Sequence, residues 1–410
     1  MALNDPQSAK PAITREGIKA IAAASFGLFV GAGITLIYSA SVIMPAILAD
    51  TGWSRAAVTG ALGPATLAVG LLSPVVGALT DRFGPRRILL LSSFGLPLGL
   101  FLLPLIARSV HGFQLGLVVA AILAAGTSPV AYSYLLIGWL PHRRGLAMGI
   151  ALACSGLGVA VVPATLSLII PALGWRGAYD VLGCIALCIG LPSAFWLVKN
   201  PPRVISTGSV AHRVPGKSLA EALRSYTFWV LLVAFALNSL ASTAGSISLP
   251  LIAADSGIPP KIASISMVIV GVTIVLSRVW IGALFDRVPT VLLTVFLFLA
   301  PVLGHLTIAA GAGIPNFMVA ALLFGLSVGC DLDALGVLVS RQFGMRDFGK
   351  IYGINFCVYA FCGGSGPGIL HQLHDRFVSY GPVFLTLSAT ALLALVLVAV
   401  FLRTSRLAYG

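Results

Sequence analysis

Along most of the chain polar residues are rare, and apolar positions run on for 20 residues or more before charged groups interrupt them. A bilayer-crossing helix needs about 20 predominantly apolar residues. Twelve runs meet that need, at approximately 18–48, 56–78, 88–108, 113–138, 145–171, 177–198, 226–253, 261–285, 289–309, 315–340, 349–370 and 379–402. Several joints are short and charged, as in Asp81-Arg82-Phe83-Gly84-Pro85-Arg86-Arg87 and Pro141-His142-Arg143-Arg144. One long polar stretch, 199–225, splits the runs six and six. Its proline, serine and basic residues read as a linker, with a short surface helix at 217–225. The pattern predicts an all-α membrane protein made of two six-helix bundles, 1–198 and 226–410, joined by that linker.

Composition narrows the class further. Of 410 residues, 58% are hydrophobic and 9% are charged, whereas an ordinary soluble domain carries about 25% charge. So little charge cannot cover a water-exposed surface, which excludes a soluble enzyme, a nucleic-acid binder and a disordered chain. The 45 glycines and 24 prolines fit membrane helices, where proline is tolerated and small residues allow close packing. The net charge of +13 would point to nucleic acid only if the cations formed a patch. They sort by side of the membrane instead. With the N-terminus inside, the inner segments hold 19 basic residues: Lys10, Arg15, Lys19, Arg82, Arg86, Arg87, Arg143, Arg144, Lys199, Arg203, Arg213, Lys217, Arg224, Arg287, Arg341, Arg346, Lys350, Arg403 and Arg406. The outer loops hold five: Arg55, Arg108, Arg176, Lys261 and Arg376. That asymmetry predicts both termini in the cytoplasm, and the compact chain with short loops points to a bacterial inner (plasma) membrane. Residues 1–17 are polar and the run after them is too long for a signal h-region, so the first span is expected to stay in place. Cys154, Cys184, Cys188, Cys330, Cys357 and Cys362 all fall inside spans without metal-ligand spacing and read as packing residues.

The chain also repeats itself. Gly77-Ala-Leu-Thr-Asp81-Arg82 after the second span matches Gly282-Ala-Leu-Phe-Asp286-Arg287 after the eighth in five of six positions, at an offset of 205. Gly145 and Gly149 echo Gly349 and Gly353 at an offset of 204. Duplicated halves are a transporter architecture, with the substrate site expected between them near the midplane. Gly77-x-x-x-Asp81-Arg82-x-Gly84-x-Arg86-Arg87 resembles the signature of the major facilitator superfamily between its second and third helices. In physical terms, glycine lets two helices approach, and the aspartate can cap a neighbouring helix N-terminus and pair with arginine. Such contacts would hold the cytoplasmic side shut in one conformation. The second copy is expected to be the weaker latch, because Pro289 follows Asp286-Arg287 and the basic cluster is missing. Asp50-Thr-Gly-Trp53-Ser-Arg55, with an arginine in span eight, is similar to the monocarboxylate transporter and oxalate:formate exchanger branch. That resemblance implies an aspartate one turn before the arginine, where this chain has Ile274.

Ionisable groups inside a span are costly and mark function. Arg278 lies eight residues before Asp286, and Asp333 eight before Arg341, so both sit about 12 Å in from the cytoplasmic end. An Arg278–Asp pair across two helices is therefore expected, with Asp331 and Asp333 roughly 200° apart on their helix and only one facing the cavity. Arg278 would bind a substrate carboxylate. An aspartate of span ten, losing its countercharge, would take up a proton. Tyr352, Asn355 and Tyr359 share one face of span eleven. Tyr38 and one of Tyr132 and Tyr134 are candidate donors from the first half, Asn238 from the second. Gly145, Gly149, Gly156 and Gly158, with Gly363, Gly364, Gly366, Pro367 and Gly368, would permit close sliding; His305, His371 and His374 lie towards the outer side.

The expected function is secondary transport of a small organic monoanion such as lactate or pyruvate, by proton symport, in a monomer whose partners are substrate, proton and lipid. An organic-anion exchanger, or a proton-driven exporter of an amphipathic compound, is the alternative. No Gly-x4-Gly-Lys-Ser/Thr occurs, so ATP drive and cofactors are not implied. A membrane enzyme or sensor would need catalytic clusters or a soluble domain. A dicarboxylate would call for a second intramembrane cation, and the spans contain none besides Arg278.

Overall fold

The computed structural model describes residues 13–202, 216–311, 313–377 and 379–404. Lys10, Arg203, Arg213, Arg406 and the middle of the expected linker lie outside them. Each of the twelve apolar runs coincides with helix. The first, α1, joins Arg15–Phe29, a π-turn Gly33–Tyr38 and Ala40–Thr51, and α2 joins Arg55–Gly60 to Leu62–Phe83. Pro85–Ile106 is α3 and Val110–Trp139 is α4. Arg144–Leu197 is one helical stretch of 54 residues, but Gly174 within it has φ 68° and ψ −179°. That conformation breaks the helix and suits glycine alone, so the stretch divides into α5 (144–173) and α6 (175–197). Then follow α7 Tyr226–Asp255, α8 Pro260–Phe285, α9 Thr290–Ala309, α10 Ile314–Phe343, α11 Phe348–Phe377 and α12 Tyr380–Thr404. Among the described residues ten stretches are long and apolar enough to cross a bilayer, the 54-residue one counted once. The glycine-rich α11 is not among the ten, and no described residue belongs to a strand.

Local chemistry sets the helix ends. Thr14 Oγ1 accepts the Gly17 N–H at 3.1 Å to start α1, and Ser109 Oγ accepts that of Gly112 at 3.1 Å to start α4. Proline opens α3, α8 and α10, where its missing N–H is not needed. The second helix runs to Phe83 rather than 78, so Asp81 and Arg82 belong to its last turn and not to a joint; Gly84, at φ 82°, ends it. In the linker Ser218 and Glu221 form a capping box on Leu219–Leu223. This turn docks on the joint between α10 and α11: Lys217 N–H donates to Phe343 O at 2.7 Å and Leu219 N–H to Asp347 Oδ2 at 2.8 Å.

Candidate functional site

Two clasps close one end of the molecule, the end bearing Asp81, Arg144, Asp286 and Lys350. The carboxylate of Asp81 accepts the backbone N–H groups of Gly349 and Lys350 at 2.8 and 2.9 Å, capping α11. Asp286 does the same for α5, accepting from Gly145 and Leu146 at 3.0 Å each. Each acid sits at the N-terminus of a helix from the other half, where anions are stabilised. The second clasp makes the same two bonds as the first, so the missing basic cluster does not cost it the cap. Arg144 Nη1 to Ser340 Oγ at 2.9 Å and Arg341 Nη2 to Phe285 O at 3.0 Å surround it with cations from other helices. The expected arginine pairing is not seen around Asp81. Arg82, Arg86, Arg87 and Arg287 are exposed, and none is in an ion pair among the described residues. Arg82 lies over the Phe83 ring at 5.2 Å, and the Arg86 N–H donates to Asn200 Oδ1 at 3.1 Å, beside Gly84.

Glycine makes these crossings possible. A Cβ at Gly77 would overlap the Gly349 carbonyl, and one at Gly149 would overlap that of Arg278. Gly145 and Gly282 press on each other in the same way. Away from this end the helices part: a Cβ at Gly63, Gly70, Gly271, Gly364 or Gly368 would meet nothing within 4 Å. The halves converge at the basic end and diverge beyond it.

Arg278 sits just inside the closure, 8% exposed. Its Nε donates to Gly329 O of α10 at 2.8 Å, and its Nη1 to Leu152 O and to Ser155 Oγ, the latter at 3.0 Å, both on α5. One guanidinium thus straps the two halves together. The expected Arg278–aspartate ion pair is not formed, because backbone carbonyls take its place. Asp331 accepts instead from Asn238 Nδ2 at 3.0 Å to each oxygen, in a buried network with Ser327 and Ser242 between α7 and α10. Asp333 is fully buried and neither oxygen has a hydrogen-bond partner. It lies within electrostatic range of Arg278 and of Tyr352.

The tyrosines divide. Tyr359 lies within electrostatic range of Asp331, Arg278 and Tyr38, which brings a residue of each half to the same place; Tyr38 is 52% exposed. Asn355 is buried, its Nδ2 donating to Ile351 O at 2.8 Å and its Oδ1 left without a partner. Tyr132, 1% exposed, is packed against Gly27 in the core. Tyr134 leans on Phe348, and Tyr352 stacks on Phe348 at 5.4 Å. His305 is enclosed by Phe324 and Phe384, and His374 stacks on Tyr380 at 4.1 Å. Ser155, Leu152 O and Gly329 O escaped the sequence reading. Backbone carbonyls carry no sequence signal, and Ser155 was one small polar residue beside glycines.

Apolar helices clasped at one end, spread at the other, and bridged by a buried arginine define a membrane transport protein rather than an enzyme. The chain belongs to the Major Facilitator Superfamily, whose family profile matches residues 21–367. It is 24% identical over 329 residues to the uncharacterized MFS-type transporter YhjX of Escherichia coli, covering 78% of this chain and 79% of that one. It is 28% identical over 215 residues to a probable L-galactonate transporter of the same organism, covering 48% and 46%. A gallate transporter of Pseudomonas putida shares 29% over 187 residues, covering 44% and 39%. In structure the chain is similar to the fucose transporter FucP in its outward conformation, with a TM-score of 0.74, 15% identity, and 94% and 99% of the two chains covered. The human organic anion transporter MFSD10 gives 0.67, at 16% identity over 95% and 100%. At these identities the likeness concerns the fold.

Proposed function

We propose that the chain is a secondary active transporter of small organic monoanions, driven by proton symport and working by alternating access between bundles 1–198 and 226–410. One observation carries this reading: a guanidinium buried between the halves is held by carbonyls and a hydroxyl, and makes no direct ion pair among the described residues, with Asp331 and Asp333 only within longer electrostatic range. A buried cation without a hydrogen-bonded counter-ion is expensive in a membrane, and an incoming carboxylate supplies one in fork geometry. The carboxylate competes with Leu152 O and Ser155 for Nη1, so binding loosens the strap between α5 and α8. Tyr359, Tyr38 and Asn355 would complete the site, a role supported by the proximity of Tyr359 to Arg278 and Tyr38 and by the unpartnered Oδ1 of Asn355. Asp333, with two orphaned oxygens, is the group for the proton, while Asp331 is engaged by Asn238. An exchanger needs no such acid, and the orphaned carboxylate favours symport. Similarity to a probable L-galactonate transporter, a probable sulfoacetate transporter and a gallate transporter also supports an organic anion as substrate. The excess of basic residues at the clasped end favours that end, and both termini, on the cytoplasmic side, and the short loops favour a bacterial inner membrane. Uptake of labelled organic acids into proteoliposomes, with and without an inward proton gradient, tests the reading. Gradient-driven uptake of a monoacid is expected in wild type and none in Arg278→Gln; full uptake by that variant overturns it.

A further inference from the structure

The clasped crossing of α2 and α11 and the space beyond it have opposite chemistry. At the crossing Ser73 Oγ donates to Gly353 O at 3.0 Å and Gly77 meets Gly349. One to three turns further on, the same helix faces enclose a cleft of about 420 Å³, lined by Gly63, Gly70 and Leu71 of α2, Ala360 and Gly364 of α11, and Ile37 of α1. No charged residue lines it. Its two hydroxyls are already engaged, Thr66 with Leu62 O at 2.8 Å and Ser365 with Cys362 O at 2.9 Å. A water needs two to four polar partners to be held, and with both hydroxyl protons engaged this cleft offers it little beyond the lone pairs of those two oxygens.

On α11 the cleft positions 357, 360, 361 and 364 are centred about 160° around the helix from the centre of Tyr352, Asn355 and Tyr359. The cleft is therefore distinct from the face that meets Arg278. Its rim continues the exposed apolar surface: Leu67, Leu71 and Phe361 are 43%, 65% and 60% exposed, and Val75 and Leu79 extend the same stripe of α2. In a chain of apolar membrane helices that surface meets hydrocarbon.

We propose that the cleft is a binding slot for one acyl chain of a bilayer lipid, entering sideways between α2 and α11. The glycines at 63, 70 and 364 leave its floor as bare backbone, which admits a narrow, flexible chain. The slot exists because the two helices diverge beyond the clasp. Closing them at this end removes it, so an occupied slot favours the conformation shut at the basic end. The inference needs only the fold and the bilayer, and stands or falls apart from the anion reading.

The test is photo-crosslinking in nanodiscs made with a phosphatidylcholine carrying a diazirine in its acyl chain, with adducts mapped by peptide mass spectrometry. Wild type is expected to give adducts on 357–364 of α11 and 63–70 of α2. Gly364→Leu, whose side chain enters open space, is expected to lose them while adducts at the lipid-facing Leu91 and Leu105 persist. Gly63→Leu should act likewise from the other wall and covers the case of a poorly folded first variant. Adducts confined to Phe361 and Leu71, unchanged by either filler, would overturn the slot.

Discussion

Arg278 straps the two halves together and, on the proposed reading, also receives the substrate, and substitutions bear on both roles. Lysine keeps the charge but cannot offer a substrate carboxylate two parallel N–H groups from one planar fork. A hydrogen bond to a charged group contributes about 1.5–3 kcal/mol. Arg278→Lys is therefore expected to weaken apparent substrate affinity about ten- to hundredfold, read as a rise in the KM of uptake. Asp333 poses the reverse case, since its buried carboxylate has no hydrogen bond to lose and only the charge of Arg278 within range. Asp333→Asn is expected to leave thermal stability equal or higher, by up to about 3 kcal/mol, while uptake stops responding to a proton gradient. A large drop in melting temperature with coupling intact would show that the residue is structural. Of this site, the sequence revealed the ionisable members, because Arg278, Asp331 and Asp333 stand out in apolar runs. It could not reveal which acid is engaged: that depends on Asn238 reaching Asp331 from a helix 93 positions away.

The helix pairs α2–α11 and α5–α8 are arranged as opposed wedges, tight where glycine meets backbone and open where it meets nothing. Gly77→Ala and Gly149→Ala place a Cβ on a carbonyl of the facing helix and should spread the clasped end. A cysteine probe at Ser340, buried at that end, should then react with a water-soluble maleimide faster than in the parent. Gly70→Ala and Gly271→Ala meet open space and should leave the rate unchanged. The glycine echo between the halves was legible from its spacing, and so was the helix content, from the length of the apolar runs. The direction of the wedge was not. Nothing in a glycine's sequence position says whether its missing side chain admits a helix, a ligand or neither. The extension of α2 through Asp81 and Arg82 escaped notice for a related reason: a charged pair looks like a loop until Gly84, at φ 82°, shows where the helix stops.

Across the whole molecule, the linker ties itself to the second half through Asp347. Burial pushes its carboxyl up, but the Leu219 N–H and the Lys350 ammonium outweigh that and hold it below the usual aspartate range. A depressed acid contributes stability above its unfolded pKa and loses it as pH falls through the folded value. The docked turn should therefore hold at neutral pH and release in strong acid, seen as proteolysis near Ser218 only in the acid arm; Asp347→Asn should be cut at neutral pH as well. Which half the linker joins was beyond the sequence, since the contact is made by backbone N–H groups. The paired clasps carry a further consequence. Each half lends one carboxylate and borrows one helix start, so neither clasp belongs to a single half. After a duplication the two copies are then free to drift in everything except the height of that acid above the glycine crossing. The second copy has done this, keeping Asp286 while its arginines come from Arg144 and Arg341 on other helices. A relative that had lost every arginine of the motif would still be expected to shut, provided that an acid and a bare helix start still faced each other across the seam.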